Sequence, residues 1–376
     1  MSIRLVAGAA VVGVGMGLLA PAATAAPAGR DKVQQAMEGV LPVGALGIQL
    51  RLRDAAGEWT GSAGRAAVNS DRPVRTDGLF RIGSNTKTFT ATVVLQLNAE
   101  RRVDLDAPVN RYLPGYLPVN SKITVRNLLQ HTSGIYSHTG EEDPAGPGII
   151  PPFDKRFVDT RYRTYTPEQM VRWALAQPSR FNPGEGWSYS NTNYVLLGML
   201  IEKLTGHSYA QEITQRILRP LHLRQTSFPG THSGIPGPHA QGYLGYPDGG
   251  GLTVVDITRI NPSWGGAAGE MISSTRDLER FYVALLAGEL LPAAQLTQMM
   301  TPWRDSEYGL GLHRVRTSCG DFYGHTGGIP GYVTDVMVSK DRSKRMVLSL
   351  TDSGRATDRD TFLAAFGRVG DAAVCG

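Results

Sequence analysis

"RIGSNTKTFTATVVLQL", residues 81–97, sets Ser84 and Lys87 three residues apart at the entrance to a long apolar run. From Thr88 to Leu97 there is no Gly or Pro, and apolar residues occupy more than one face, which predicts a buried helix. Gly83 and the small polar residues beside it suit a helix entrance. Positions i and i+3 share a helix face, so Ser84 Oγ and Lys87 Nζ can touch. Burial disfavours the charged form of a lysine. A neutral lysine beside a hydroxyl can take its proton and so activate a weak nucleophile. The helix N-terminus adds a positive field near an attacked carbonyl. A serine at a helix start is also an ordinary cap, so the pair alone does not decide between the two readings. Of seven lysines in the chain, only Lys87 has a serine at i−3. It also sits in a mostly apolar run, where an idle lysine would be costly.

The chain has 376 residues, 41% hydrophobic and 19% charged, which is an ordinary globular balance with length for one or two domains. Residues 1–25 read as a secretory signal, with Arg4 as charged region, Leu5–Ala20 as apolar core and Ala23-Thr24-Ala25 as cleavage site. The apolar run is short and Gly-rich for a membrane anchor, so a secreted chain of residues 26–376 with no stable membrane span is expected. Removing the signal removes one charge and leaves 37 basic against 33 acidic residues. The basic residues are scattered, so nucleic-acid binding has no support. Cys319 and Cys375 are the two cysteines; an even count in an exported chain suggests a disulfide, the alternative being two free thiols. The chain carries no HExxH or Cys/His cluster at metal spacing, no GxSxG elbow, and no nucleotide loop after residue 25. No metal and no cofactor are expected.

Outward from the Ser84 helix, residues 44–68 read as two antiparallel strands turning at Ala56-Gly57. "TVRNLLQHTSG" reads as a helix closed by Gly134, and residues 139–153, rich in Gly and Pro, as a long loop. "TPEQMVRWALAQ" and "NTNYVLLGMLIEKLTG" are helices with a Thr cap and Pro at the first and a terminal Gly at the second. "SSTRDLERFYVALLAGEL" is another helix. "YGLGLHRV", "DFYGHTGG", "YVTDVMVSK" and "RMVLSLTD" are successive strands, followed by a last helix in "RDTFLAAFGRV". Strands at both ends and helices between them predict an α/β (α+β) fold. In it an antiparallel sheet from about residues 30–110 and 271–376 is flanked by helices and carries a mostly helical insertion at about 111–270. A cleft would form where the two parts meet.

Two further clusters bear on that cleft. In "WSYSNTNY", Tyr189 and Asn191 can present both side chains on one side of a helix entrance, the Tyr to relay a proton and the Asn to hold a lysine or a substrate carbonyl. An Asn/Ser cap explains the same residues. In "YGHTGGIPGY", His325-Thr326-Gly327-Gly328 lets a substrate backbone approach an edge strand. A Gly N–H there could pair with the Ser84 N–H as an oxyanion hole; a Gly-turned hairpin is the plainer reading.

Taken together, SxxK, YxN and HTG in this order resemble the penicillin-recognising serine hydrolases, whose class A set is SxxK, SDN and KTG. The Tyr-x-Asn and His-Thr-Gly variants resemble the branch with class C β-lactamases, secreted DD-carboxypeptidases, D-aminopeptidases and related esterases. "LFRIGSNTKTFTATVVLQL", "ITVRNLLQHTSG", "PGEGWSYSNTNYVLLGMLIEKLTG", "AAGEMISSTRDLERFYVALLAGEL" and "YGLGLH" are similar to the secreted actinomycete D-alanyl-D-alanine carboxypeptidase/transpeptidases over about residues 30–376, both cysteines included. The resemblance implies a β-lactamase/transpeptidase-like fold and roles by position. Ser84 would be the acylated nucleophile, Lys87 its base and Tyr189 a proton shuttle. Asn191 and Thr326 would contact substrate, His325 would polarise the tyrosine side, and Trp264 would wall the pocket. Glu185, in a Pro-Gly-Glu turn, would be structural. The implied substrate is a small peptide ending in D-Ala-D-Ala, with β-lactams as slow acylating analogues, and the chain is expected to be a monomer.

The resemblance also has departures. In those carboxypeptidases an arginine follows "GLGL" and a threonine follows His-Thr-Gly, and both hold the substrate's carboxylate; here the positions carry His313 and Gly328. Neighbours on a strand point to opposite faces, so Arg314 is expected to point away from the site. Losing an arginine fork weakens carboxylate recognition. A D-specific peptidase, an esterase, a class C-like β-lactamase and a non-catalytic penicillin-binding sensor are therefore the alternatives to a carboxypeptidase.

Overall fold

The computed structural model describes residues 30–376 except 143, 144, 152 and 357. The expected signal segment, residues 1–25, lies outside them. One antiparallel sheet organises the chain. Its strands are β1 (Ala45–Asp54), β2 (Gly57–Ala67), β3 (Ser70–Pro73), β4 (His313–Thr317), β5 (Gly320–Gly324), β6 (Thr326–Ile329), β7 (Tyr332–Ser339) and β8 (Arg345–Asp352). Their order across the sheet is β4-β5-β7-β8-β1-β2-β3, with β6 pairing β7 in line with β5. The pairing of β1 with β8 (Ile48 opposite Leu350, Leu52 opposite Met346) joins the two ends of the chain at the centre of the sheet.

Both faces are covered, so strand alternation separates two cores. Ile48, Leu50 and Leu52 of β1, with Met346, Leu348 and Leu350 of β8, pack on Val33 and Met37 of helix α1 (Arg30–Glu38) and on residues such as Val369 from the C-terminal helix Arg359–Val374. On the other face Tyr332, Val336 and Val338 join the larger core with Phe89, Val93 and Leu97 of α2 (Thr86–Ala99). α2 is buried all round from Thr86 to Leu95, as its lack of a polar face requires. Phe89 stacks on Phe281 at 3.6 Å.

The middle of the chain supplies α3 (Val125–Leu129), α4 (Pro167–Leu175), α5 (Asn191–Thr205) and the single turn α6 (Gly266–Gly269). α4 begins with a reciprocal Thr166–Gln169 capping box and Pro167, and α5 ends at Gly206 in the left-handed conformation. α3 is shorter than the sequence suggests. It ends by Gln130; His131 takes φ +62°, and the chain turns at Gly134, where a Cβ would lie 2.1 Å from the Phe181 carbonyl. The 139–153 stretch holds a two-stranded element, Glu141–Glu142 with Ala145–Gly146, and Ile150 returns to the core. A hairpin, Tyr243–Asp248 with Gly251–Asp256, adds strand to the helical middle. α7 (Thr275–Leu286) then leads back to the sheet, as expected. Cys319 and Cys375 form a disulfide, Cα atoms 5.5 Å apart, which ties the C-terminus to the β4–β5 turn.

Candidate active site

The site begins at the turn Gly83–Asn85, one 3-10 turn ahead of α2. Gly83 has φ +50°, and a Cβ there would stand 2.8 Å from the Gly328 nitrogen. Only glycine lets this turn sit against β6. The next residue, Asn85, is buried and locks the turn from beneath: its Nδ2 donates to Thr334 Oγ1 (2.9 Å), and its Oδ1 accepts from Tyr282 OH (2.8 Å). Three elements far apart in sequence thus hold the backbone that carries Ser84.

Lys87 is wholly buried and has three partners: Ser84 Oγ at 3.0 Å, Asn191 Oδ1 at 2.7 Å and the Ala268 carbonyl at 2.7 Å. Burial drives its pKa well below the ordinary lysine value, since no carboxylate compensates the lost hydration. A neutral amine has two N–H groups and one lone pair. Asn191 Oδ1 and the Ala268 carbonyl are acceptors and consume both N–H groups. The lone pair is left for the Ser84 hydroxyl proton. Asn191 is oriented by the bond from its Nδ2 to Thr139 Oγ1 (2.9 Å) and by its own N–H on Ser137 Oγ (3.2 Å). Ala268 is presented by α6, which is lashed to α2 through Thr90 Oγ1 on the Ala267 carbonyl (2.8 Å).

Tyr189 precedes the α5 cap Ser190. Its ring centroid is 4.9 Å from Lys87 Nζ, and its hydroxyl bonds with Ser84. Burial pushes that hydroxyl well above its ordinary pKa, with the Ser84 bond opposing, so it is protonated at neutral pH and suits a relay rather than a phenolate base.

β6 closes the other side. Among the described residues it pairs with β7 alone, and its second edge runs past the Gly83 turn. The two-residue turn Pro330-Gly331 makes Ile329 and Tyr332 the closing hydrogen-bonded pair. Alternation then turns the Thr326 and Gly328 N–H groups to the free edge, where Gly83 abuts. The backbone of Gly328 thus lies against the turn that carries Ser84, with a Gly83 Cβ position 2.8 Å from its nitrogen. His325 accepts at Nε2 from Tyr308 OH (3.0 Å) while Nδ1–H donates to the Thr326 carbonyl (2.5 Å); burial holds its pKa well below the usual value, with His313 and Lys87 adding to the effect.

Thr326 is exposed and opposes Asp335 across the β6–β7 ladder, so its side chain leaves the strand on the face opposite Gly327. Trp264 is buried. Its carbonyl accepts from His138 Nε2 (2.9 Å), and its ring lies 6.2 Å from Phe157 and 6.1 Å from Phe153, which is half exposed. Glu185 is at the surface, accepting from Asn182 Nδ2 (2.9 Å). His313 turns into the site, its ring 4.7 Å from His325 and 4.5 Å from Tyr308, and burial pushes its pKa down to about 4. Arg314 takes the other face, pairing with Glu307 at 3.3 Å. Ala268, Asn85, His131, His138 and Tyr308 also build the site; all but His138 lie in stretches that carry the family resemblance, yet none of them has a role in the sequence reading. Among the described residues no cluster of His, Cys, Asp and Glu is placed to hold a metal, and no helix is long and apolar enough to cross a membrane.

Comparison with known proteins agrees with this architecture. The D-stereospecific amidohydrolase of a Streptomyces species is 41% identical, with a TM-score of 0.82 over 92% of this chain and 98% of that one. The D-amino acid amidase of Ochrobactrum anthropi SV3, solved with L-phenylalanine amide, is 29% identical, with a TM-score of 0.76 over the same shares. The putative penicillin-binding protein PbpX of Bacillus subtilis is 30% identical over 72% of this chain, which spans 61% of PbpX. Residues 30–366 match the Beta-lactamase family. The chain belongs to the β-lactamase family of serine hydrolases, whose homologues include penicillin-binding proteins.

Proposed function

We propose that the protein is an exported serine hydrolase that cleaves amide bonds at D-amino-acid residues through an acyl-enzyme on Ser84, without requiring a free carboxylate on the leaving side. The observation that carries the mechanism is the geometry of Lys87, whose two N–H groups are consumed and whose lone pair faces Ser84. The Ser84 proton passes to Lys87 Nζ as Oγ bonds to the carbonyl carbon. The carbonyl oxygen takes the negative charge between the Ser84 and Gly328 N–H groups. The C–N bond then breaks, and the leaving amine takes its proton through Tyr189. Water hydrolyses the ester by the same path in reverse, releasing the acid and restoring Ser84. His313 supports the substrate assignment. It occupies the strand position facing the site and is held neutral by burial, while Arg314 is ion-paired elsewhere. A carboxylate there would meet no fixed cation. The two D-specific amidohydrolases named above support the same chemistry.

A D-Ala-D-Ala carboxypeptidase/transpeptidase that β-lactams acylate is the second reading, favoured by the penicillin-binding relatives. One experiment separates them. The chain from residue 26 is given diacyl-L-Lys-D-Ala-D-Ala as free acid and as C-terminal amide, and D- and L-phenylalanine amide. Cleavage of the amides, with D over L and abolished by Ser84→Ala, supports the proposal. Cleavage of the free acid alone supports the carboxypeptidase, and Ser84-independent release would overturn both.

A further inference from the structure

His131 has no role in the sequence reading, yet it grips the residue pair around Tyr189. Its carbonyl accepts from the Ser188 N–H at 3.0 Å, and its Nδ1 accepts from the Ser190 N–H at 3.2 Å. The Trp187–Ser188 and Tyr189–Ser190 peptides, one on each side of the Ser188–Tyr189 link, thus both hang on one residue. Tyr189 lies outside α5, so no helical bond fixes it. The His131 ring packs at 4.3 Å against the Tyr189 ring and at 4.8 Å against Tyr308.

The same contacts set the tautomer. Asn193 Nδ2 also reaches His131 Nδ1, at 3.2 Å, and that amide is oriented because its Oδ1 accepts from Ser133 Oγ (2.7 Å). Two donors meet at Nδ1, so the ring proton is on Nε2, which is buried with no partner among its aromatic neighbours. His131 is itself fully buried and holds φ +62°, a conformation costly for a side chain of this size. An unpartnered N–H and a left-handed backbone are both unfavourable. They persist where the rest of the residue is over-determined, and here its determined part is the grip on Tyr189.

We propose that His131 is the positioning residue for Tyr189, fixing the proton-relaying hydroxyl through its carbonyl and Nδ1. The proposal rests on Tyr189 acting in the Ser84 acyl transfer. Three substitutions divide the features of His131. His131→Asn keeps an acceptor near the Nδ1 position and tolerates the left-handed backbone but loses the ring. His131→Phe keeps a ring and loses the acceptor. His131→Ala loses both. The readouts are acylation by a fluorescent penicillin, kcat and KM on D-phenylalanine amide, and thermal melting of each variant. A displacement of about 1 Å at a catalytic group costs on the order of 100-fold. The expected result is a kcat loss of that order in the Phe and Ala variants with KM little changed, and a recovery of at least about tenfold in the Asn variant over Ala. A Phe variant as active as wild type, or an Asn variant no better than Ala while still folded, would overturn the proposal.

A second readout needs no turnover. In 15N spectra of the wild-type protein, the resonances that vanish in His131→Asn must show a bare Nδ1 and a protonated Nε2. The opposite tautomer overturns the grip. If wild type shows the expected tautomer but neither labels with penicillin nor cleaves the amide, the hydrolase reading fails and the geometric assignment of His131 stands.

Discussion

At the scale of single residues the site depends on Lys87 being neutral. Its folded pKa is depressed, so acylation is expected to rise with pH through that ionisation and level off well below pH 10.5, the ordinary lysine value. Stopped-flow acylation by a chromogenic cephalosporin measures it; a rate still climbing at pH 10 would show a charged Lys87. His313 and Gly328 carry the specificity argument. Restoring the carboxylate-binding pair with His313→Arg and Gly328→Thr is expected to shift the free-acid over amide preference by about 10- to 100-fold, the worth of a charge-assisted bond. Paired kcat/KM values on the acid and amide peptides give the ratio. A Cβ at Gly328 meets nothing within 4 Å, so a side chain can start there without a clash at its first atom. The sequence picks out Ser84, Lys87, Tyr189, Asn191 and His325 because their chemistry needs particular side chains at short spacings. The Ala268 carbonyl is invisible to such a reading, since every residue has a carbonyl and only the fold aims this one.

Between elements, the decisive contact is that of the Gly83 turn with β6. Gly83→Ala puts a side chain where the backbone has φ +50° and where Gly328 N is 2.8 Å away. The left-handed penalty alone is about 1–2 kcal/mol, and relief of the clash moves β6 from Ser84. Penicillin acylation is expected to fall on the order of 100-fold with the melting curve still cooperative; acylation at the wild-type rate would mean β6 does not complete the site. The strands and most helices were legible because alternation, caps and terminal glycines are local signals, as in β1 and β2 or the Thr166-Pro167 start of α4. Where α3 ends was not. Gly134 advertised a stop, but His131 leaves the helix first, and its reason for doing so is Ser188 and Ser190, far along the chain. The Asn85–Thr334–Tyr282 network is likewise beyond a local pattern, because its members are 197 and 249 residues apart.

The whole molecule is a sheet assembled from both chain ends, so its stability has long-range supports. The Cys319–Cys375 bridge spans 56 residues, and closing that loop contributes about 4 kcal/mol on the chain-entropy account; urea unfolding of Cys375→Ala, against wild type without reductant, measures the loss. A pH dependence follows from the buried histidines. His131, His138, His313 and His325 are all held neutral by burial, with His138 pushed down to about 4. Below pH 6.5 the unfolded chain binds protons that the native site refuses, so each such histidine contributes stability that is full above 6.5 and lost as pH falls through its own depressed pKa, about 4 for His138 and His313. Buried carboxyls act in the opposite sense. Glu270, Asp277 and Asp335 have raised pKa values and favour the native state at lower pH, so the overall curve is a difference. His138→Gln isolates one part. A glutamine Nε2 can still donate to the Trp264 carbonyl but does not titrate. Wild type is expected to lose about 3 kcal/mol more than this variant between pH 7 and pH 4, from about 2.5 pKa units at 1.36 kcal/mol each. Parallel urea curves across that range would mean that His138 charges freely in the native state, and that the link from Thr192 through His138 to the Trp264 wall is looser than its 2.9 Å bond implies.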